Sequence, residues 1–374
     1  MAQQTPAENP GNTKAARRGS LLWSLVIGLV AFLVLLGLAE YTYRRQPLTE
    51  QVNLRSLGVY HSQFEIKWFK LQDYARQHNG VDVILVGNSM VNTGINPQVL
   101  ARRYEEQTGD SLRIFNFGIE GLTVAPNADL VKVLVEEFHP GSIVFVTEMR
   151  DYTAANGLEV ESQFLSDEWL SARISGSSSP RSWLKDNSTI LQKLLTLRNW
   201  SRADFLDNLL MSIRRYGDTS GSGYEADRNT GENIDQPPNP ADPKEQENFK
   251  LFSNYSMDPG RIADLQRILA NGSEKRTVFV TEMPIYPTYF VYFGGEPVHA
   301  QYLSDLQEIV ANDRAVFLQP VSWELIPMEG RVDHHHLNYI GAPLYSELLA
   351  DQLADSCVHN QVCLLHAEGL WSAP

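Results

Sequence analysis

The chain has 374 residues, of which 31 are Lys or Arg and 45 are Asp or Glu, so its formal net charge is −14 at pH 7. This length suffices for one large domain or two modest ones with a real core. The acidic balance argues against a nucleic-acid binder, which needs a basic surface to neutralise phosphates. The only cysteines are Cys357 and Cys363, which excludes a structural zinc site built from cysteines.

The first apolar segment, 21–39, is uncharged and has about the 20 residues needed to cross the hydrocarbon core of a bilayer. Basic residues flank it on both sides, so charge only slightly favours a cytoplasmic N-terminus. A cleaved signal peptide is the alternative, but its apolar core is usually shorter. We therefore expect a cytoplasmic tail at 1–20, a transmembrane helix at 21–39 and an extracytoplasmic remainder. A Cys357–Cys363 disulfide suits that compartment, while two unpaired thiols fit the sequence equally well.

From residue 81 onward, short apolar runs alternate with helical patterns. Strands are predicted at 81–86, 112–117, 143–147, 277–281 and 315–319. Helices are predicted at 64–77, 97–107, 127–138, 190–197, 203–215, 259–270, 299–312 and 339–355. Strands that recur with helices between them indicate right-handed βαβ units and a parallel sheet, and hence an α/β protein.

This alternation also predicts the domain organisation. A connecting segment, 46–80, precedes an α/β domain built from 81–150 and 250–374, and 151–249 interrupts it as an insertion. Within the insertion, 217–248 is nearly free of large apolar side chains and rich in Gly, Pro, Asp and Asn. Such a stretch buries too little apolar surface to offset its ordering entropy, so we expect a disordered or loosely held loop.

Polar residues cluster where the predicted strands end, and ligands of an open parallel sheet bind outside those carboxyl ends. The groups found there are Gly87–Ser89, 116–121, 148–151 and 282–284, joined by the run 332–350 with its three histidines at 334–336. The sequence VFVTEM occurs at both 144–149 and 278–283, which predicts two neighbouring strands with similar polar ends.

Three of these residues have the side chains of a nucleophilic catalytic group. A nucleophilic serine needs a base within hydrogen-bond reach, and the base needs a group that fixes its tautomer. Ser89, His336 and Asp333 supply these types, and the spacing of Asp333 and His336 lets both reach one point. The backbone N–H groups of Ser89 and Gly118 are candidate oxyanion donors, because glycine lets the backbone approach a ligand closely. The chemistry indicated is acyl transfer.

These blocks resemble those of the SGNH, or GDSL-type, serine esterases and acyltransferases. The Gly-Asp-Ser block of that family reads VGNSM here, with Asn88 in place of the aspartate. The glycine after its second strand corresponds to Gly118, and its Asp-x-x-His block corresponds to Asp333–His336. The continuation HLNYIGAPLYSELLA is similar to membrane-anchored members that serve bacterial polysaccharide O-acetylation and D-alanine transfer. The resemblance covers 81–150 and 275–355 and implies a flavodoxin-like three-layer sandwich.

One block departs from the family pattern. The third block of the family offers an asparagine as an oxyanion donor, and the corresponding position in TEMRDY is Arg150. Arg150 is suited to bind an oxyanion or a substrate carboxylate, and equally to pair with Glu148 or Asp151. The implied site therefore comprises the catalytic residues Ser89, His336 and Asp333 and the oxyanion donors Ser89, Gly118, Asn88 and Arg150.

The resemblance implies a membrane-anchored extracytoplasmic serine esterase or O-acyltransferase. Its expected substrates are acyl esters, in particular acetyl esters, of an envelope or secreted polysaccharide, and its expected partners are that carbohydrate, the membrane through 21–39, and other envelope-assembly proteins. No cofactor is expected. No metal is expected either, because adjacent histidines on one loop rarely converge on one ion. The alternatives are an accessory subunit with a decayed triad and a lipid-directed esterase.

The aromatic run 286–293, YPTYFVYF, has two interpretations. It is suited to form a wall for stacking sugar rings beside the site, and equally suited to pack against a neighbouring loop or the membrane surface.

Overall fold

The computed structural model describes residues 11–45, 55–59, 61–154, 156–177, 179–196, 205–311 and 315–369. Parts of several predicted segments lie outside the described residues: 1–10 of the tail, 46–54 and 60 of the connecting segment, and the helix ends at 197, 203–204 and 312.

The core of the protein is a parallel sheet of five strands in the order β2-β1-β3-β4-β5. The strands are β1 Val83–Val86, β2 Ile114–Asn116, β3 Ser142–Thr147, β4 Thr277–Glu282 and β5 Ala315–Phe317. Every residue of β1, β2 and β3 is buried, as expected of a parallel sheet that is covered on both faces. The α/β class and all five strands that the sequence predicts are confirmed.

The helices are α1 Gly11–Arg45, α2 Ser62–His78, α3 Ser89–Gly94, α4 Pro97–Thr108, α5 Val124–Phe138, α6 Leu158–Leu165, α7 Glu168–Ser175, α8 Pro180–Asn187, α9 Thr189–Thr196, α10 Phe205–Asp218, α11 Gln246–Phe252, α12 Pro259–Leu269, α13 Glu296–Ala311 and α14 Gly341–Asn360. Helix α4 packs on α14, and α5 packs on α12. Because the steps from β1 to β2 and from β2 to β3 run in opposite directions, right-handed crossovers put α4 and α5 on opposite faces of the sheet.

Two helix starts follow directly from local sequence. The side chain of Asn96 accepts a hydrogen bond from the backbone N–H of Gln98 (3.1 Å), and Pro97 occupies the first turn of α4. Asp258 caps α12 in the same way, and Pro259 follows it. The Asx side chain accepts an N–H that has no partner within the helix, and the ring of the following proline fixes a helical φ. The predicted starts of both helices are confirmed.

Helix α2 and the insertion contribute to the main core. The rings of Phe64 and Trp68 on α2 are fully buried and stack with their centroids 5.9 Å apart. Trp169 on α7 meets Trp68 edge-on at 5.0 Å. The connecting segment and the insertion therefore pack against each other over the sheet.

The segment 217–248, predicted to be disordered or loosely held, is bound to the rest of the domain through polar contacts. The carboxylate of Glu225 accepts a hydrogen bond from Asn92 Nδ2 (2.9 Å), and the carbonyl oxygen of Asp227 accepts one from the backbone N–H of Tyr339 (2.7 Å). The composition of this segment indicates only how little apolar surface it can bury. Backbone and side-chain hydrogen bonds nevertheless attach it to the α/β domain.

The repeated sequence VFVTEM lies on two adjacent strands, β3 and β4, as predicted. Their register pairs Thr147 with Glu282, which is one residue away from the alignment of the repeat itself. Because side chains alternate along a strand, a shift of one residue sends Glu148 and Glu282 to different sides of the sheet. The two similar strand ends therefore deliver their carboxylates to different surroundings.

Helix α1 contains the apolar segment predicted to span a membrane. Leu22–Thr42 has a mean hydropathy of 2.6 and is long and apolar enough to cross a bilayer by length and composition. At the other end of the chain, Cys357 in α14 forms a disulfide with Cys363, which resolves the alternative that the sequence left open.

Candidate active site

Ser89 lies at the carboxyl end of β1, in a turn that requires glycine before it. A Cβ atom on Gly87 would come within 2.4 Å of the carbonyl oxygen of Val146. Asn88 then caps α3, its side-chain oxygen accepting a hydrogen bond from the backbone N–H of Met90 (2.9 Å). Ser89 is the first residue of this helix and is partly exposed. Strand order reverses between β1 and β3, which is where ligands bind in open parallel sheets.

The histidine run lies in a loop that closes on itself. Arg331 and Leu337 form an antiparallel bridge, and the N–H of Val332 donates to the carbonyl oxygen of His336 (3.0 Å). The guanidinium of Arg331 is fully buried and donates to the carbonyl oxygen of Pro284 (2.8 Å), which fixes the loop to the end of β4. We call 331–337 the histidine loop.

The structure brings Ser89, His336 and Asp333 together in one hydrogen-bonded chain. Ser89 Oγ lies 2.7 Å from His336 Nε2, and His336 Nδ1 lies 2.7 Å from Asp333 Oδ2. An ionised carboxylate only accepts, so Nδ1 carries the proton and Nε2 accepts from the serine hydroxyl. A serine, a neutral imidazole and a carboxylate joined in this order can move a proton off the serine as it attacks.

The second oxygen of Asp333 is bound within the same loop. Its Oδ1 accepts the backbone N–H groups of His335 (2.9 Å) and His336 (2.8 Å). Burial works to raise the pKa of Asp333, but the positive charge that His335 and His336 carry when protonated, together with their hydrogen bonds, outweighs it and lowers that pKa. Asp333 is therefore held as an anion across the neutral pH range.

The side chain of Asn88, predicted as an oxyanion donor, is bonded to the carboxylates that follow β3. Its Nδ2 donates to Glu148 Oε1 (3.0 Å) and lies 3.3 Å from Asp151 Oδ1. The Nε of Arg150 bonds to the same Glu148 oxygen at 2.5 Å. The guanidinium of Arg150 is 24 % exposed, whereas Glu148 is fully buried. The pairing of Arg150 with Glu148 is thus present, and any oxyanion contact falls to the terminal nitrogens of Arg150.

The buried carboxylates at this edge influence each other. Burial and the neighbouring charge of Glu148 raise the pKa of Asp151 to about 7. Burial opposes the charged form of Arg150, yet the charge of Glu148 outweighs it and raises the pKa of Arg150. A fixed positive charge therefore stands beside a cluster that takes up a proton near neutral pH.

Gly118 fits closely against the helix that carries Ser89. A Cβ atom at this position would lie 2.5 Å from the backbone nitrogen of Asn92 and 2.7 Å from Val91 Cβ. The N–H of Gly118 donates to Asn116 Oδ1 (2.9 Å). The oxyanion role predicted for this amide therefore requires that its bond to Asn116 be exchanged for one to the substrate.

Asn116 and Lys67 position α3; from the sequence, Asn116 was identified only as a member of the polar group 116–121, and Lys67 was not identified. Asn116 Nδ2 donates to the carbonyl oxygens of Val91 (2.6 Å) and Ile95 (2.8 Å). The Nζ of Lys67 lies 3.3 Å from Asn116 Oδ1, and burial lowers the pKa of Lys67 to about 7. The sequence did offer one signal, a lysine among the apolar residues of α2. A lysine is seldom fully buried without a partner, so its position there indicates a buried polar contact.

Glu282 has a different environment from Glu148. Its Oε2 lies 2.6 Å from His299 Nε2, and the His299 ring stacks on Phe290 with centroids 3.7 Å apart. Burial raises the pKa of Glu282. This carboxylate is bound to α13 rather than to the residues around Ser89.

The aromatic run 286–293 packs mainly inwards. Its buried members are Tyr289, Phe290, Tyr292 and Phe293. The Tyr289 ring lies 4.7 Å from that of His335, and Phe293 stacks on Phe252 at 4.8 Å. The run therefore packs against the histidine loop, in agreement with the interpretation that it packs on a neighbouring loop.

One set of side chains in the described ranges has the donor types for a metal ion. Oxygen and nitrogen atoms of Asp333, His335 and His336 lie within 4.8 Å of one another. Neither ring nitrogen of His335 has a hydrogen-bond partner among the residues that the structure describes. Two of these three residues belong to the hydrogen-bonded chain that leads to Ser89, so an ion here would compete with that chain for His336 and Asp333.

No model of a protein family matches the chain, and no curated protein matches it.

Proposed function

We propose that the protein is a membrane-anchored extracytoplasmic serine esterase or O-acyltransferase of the SGNH type. Its substrates are acyl esters, in particular acetyl esters, on an envelope or secreted polysaccharide. The observation that carries the proposal is the continuous hydrogen-bonded chain from Ser89 through His336 to Asp333.

The fold supports this class. The strand order 2-1-3-4-5 is that of flavodoxin-like sheets. The blocks that resemble the SGNH family follow its order along the chain, with the serine after the first strand, the glycine after the second and Asp-x-x-His before the last helix.

The reaction follows from the hydrogen bonds. Ser89 Oγ attacks the acyl carbonyl carbon while His336 Nε2 takes the hydroxyl proton, and Asp333 stabilises the imidazolium that forms. The oxyanion is bound by the N–H of Ser89 together with donors from Gly118 or Arg150. The C–O bond to the sugar then breaks, and His336 returns the proton to the leaving alcohol. Water or a second sugar hydroxyl attacks the acyl-serine, by the same proton path, to complete hydrolysis or transfer.

A fluorophosphonate ester probe tests the proposal, because only an activated serine reacts with it. The full chain in detergent should be labelled, Ser253→Ala should be labelled equally, and Ser89→Ala should not be labelled. Ser253 is exposed and distant in sequence, so it provides a matched control. An unlabelled wild-type protein would indicate the accessory subunit with a decayed triad, and labelling of Ser89→Ala would place the nucleophile elsewhere.

The acyl group is tested by product analysis. We expect release of acetate from an O-acetylated polysaccharide and a preference for acetyl over long-chain nitrophenyl esters. Preferential release of long-chain fatty acid would instead support the lipid-directed esterase. Placement of α1 in the membrane with the domain outside the cytoplasm is tested separately, by cysteine labelling with a membrane-impermeant reagent on intact cells.

A further inference from the structure

Helix α8 has an inverted distribution of polar and apolar side chains. Ser182 and Lys185 are buried, with 8 % and 4 % of their surface exposed. Trp183 and Leu184 point outwards, with 58 % and 46 % exposed. A helix on a water-facing surface has the opposite arrangement, with its apolar side turned to the core.

Helix α9 continues the same inversion. Gln192 is buried, and its Nε2 donates to the carbonyl oxygen of Lys185 (2.8 Å), which ties α9 to α8. Leu194 is 55 % exposed. We call Trp183, Leu184 and Leu194 the outer apolar face. Two consecutive helices that turn polar groups inwards and apolar groups outwards indicate an apolar exterior.

The N-terminus of α9 is bound to the end of the candidate membrane span. Glu40 Oε1 accepts the backbone N–H of Thr189 (2.6 Å), and Glu40 Oε2 accepts the hydroxyl of Ser188 (3.1 Å). A carboxylate satisfies the orphan N–H groups at a helix start and complements its dipole. Glu40 lies in the last turn of the segment Leu22–Thr42, so α9 begins at the depth where that span leaves the hydrocarbon.

We propose that the outer apolar face rests on the same membrane that α1 crosses, on the side where α1 emerges. Trp183, Leu184 and Leu194 insert among the lipid headgroups and the first acyl carbons. The molecules that cover this face are lipids, because α9 begins beside the end of α1, at the depth of the lipid headgroups. Tryptophan favours this interface, since its ring is apolar and its N–H remains hydrated. The inference rests on the proposed anchor and not on the reactivity of Ser89.

The docked insertion would give the catalytic domain a defined orientation. One spanning helix alone leaves a domain free to rotate, whereas the Glu40 contact and the outer apolar face together supply two separate attachments. Interfacial helices of this kind bind through buried apolar area. The domain would then present its strand ends at a constant angle to the bilayer.

Site-directed spin labelling of the full chain in phosphatidylcholine–phosphatidylglycerol vesicles tests the inference. Cys357 and Cys363 are disulfide-bonded, so an introduced cysteine is the only free thiol. Trp183→Cys, Leu184→Cys and Leu194→Cys are compared with Val358→Cys, an apolar residue that is 61 % exposed on α14. We expect the ratio of collisions with oxygen to collisions with a water-soluble nickel chelate to be several-fold higher at the three face positions.

Two results would overturn the inference. Ratios at 183 and 194 equal to that at 358 would show that the face is in water. Labels shielded from both reagents, and from a quencher attached to lipid chains, would show that protein covers the face. A label at Leu33→Cys separates these results from the anchor: lipid-like values there with water-like values at 183 and 194 reject the docked face alone, whereas water-like values at 33 reject the anchor and the face together.

Discussion

The side-chain amide of Asn88 donates a hydrogen bond to Glu148 Oε1 over 3.0 Å, while Arg150 bonds to the same oxygen from its Nε. The residue before the candidate nucleophile is thereby tied to the end of β3. In the SGNH pattern this position is aspartate. Here a hydrogen-bond donor is required, because the side chain faces the carboxylates of both Glu148 and Asp151.

Replacement of Asn88 by the aspartate of the family pattern should therefore destabilise this protein. Asn88→Asp loses a donor and adds a third carboxylate to a buried site, so we expect the free energy of unfolding at pH 8 to fall by about 1 to 3 kcal/mol. Denaturant titration measures it. Combining Asn88→Asp with Glu148→Gln should recover most of the loss, and an undiminished stability of the single variant would contradict this account.

Asp333→Asn should remove activity while leaving the fold intact. An amide in place of Oδ2 no longer favours the proton on His336 Nδ1, so kcat should fall by about three to four orders of magnitude, as in other serine triads. The amide oxygen can still accept the N–H groups of His335 and His336. Ester hydrolysis measures the loss, and His334→Gln is the control. If Asp333→Asn retained the activity of an active His334→Gln control, Asp333 would be excluded from the reaction.

Gly118→Ala separates close packing from an oxyanion role, because alanine retains the amide. A Cβ atom would overlap the backbone of α3, so we expect a loss of about 1 to 3 kcal/mol in the free energy of unfolding. Gly221→Ala is the control, since a Cβ there meets no atom within 4 Å. Thermal unfolding of both variants compares them, and a Gly118→Ala protein as stable as Gly221→Ala would refute the close approach.

Lys67 should make stability depend on pH. Its pKa is lowered from 10.5 to about 7 by burial, so between these values the folded chain binds fewer protons than the unfolded chain. Its contribution to stability therefore increases as the pH rises from 7 to 10. Lys67→Met lacks this contribution, and we expect the stability of wild type relative to the variant to grow by on the order of a few kcal/mol over that range.

Chemical unfolding at pH 6, 7, 8, 9 and 10 measures this change. Lys250→Met, at an exposed position, is the matched control and should run parallel to wild type. A difference between wild type and Lys67→Met that is constant with pH would contradict the lowered pKa of Lys67.

Much of the architecture could be predicted because it depends on local signals. Buried strands read as apolar runs, and Asn96-Pro97 marks a helix start by its own hydrogen bond and ring. The meeting of Ser89 with Asp333 and His336 was predictable for a further reason: the ends of parallel strands share one edge, which brings distant segments together.

The remaining features depend on pairs that are distant in sequence. Asn92 binds Glu225 in a segment whose composition suggested disorder, and the Nζ of Lys67 lies 3.3 Å from Asn116 Oδ1 although 49 residues separate the two. Neither partner is identified by its own neighbours in the chain. Polar pairing of this kind leaves no periodic pattern, so composition and periodicity cannot predict it.

The antiparallel bridge between Arg331 and Leu337 closes the histidine loop and holds Asp333 and His336 close to each other. The hydrogen bonds that align these two side chains with each other all lie within seven consecutive residues, 331–337. The fold then has to set one further long-range distance, the one between His336 Nε2 and the hydroxyl of Ser89 after β1. Insertions elsewhere in the chain can therefore vary in length, and the candidate catalytic geometry is retained as long as this one distance is kept.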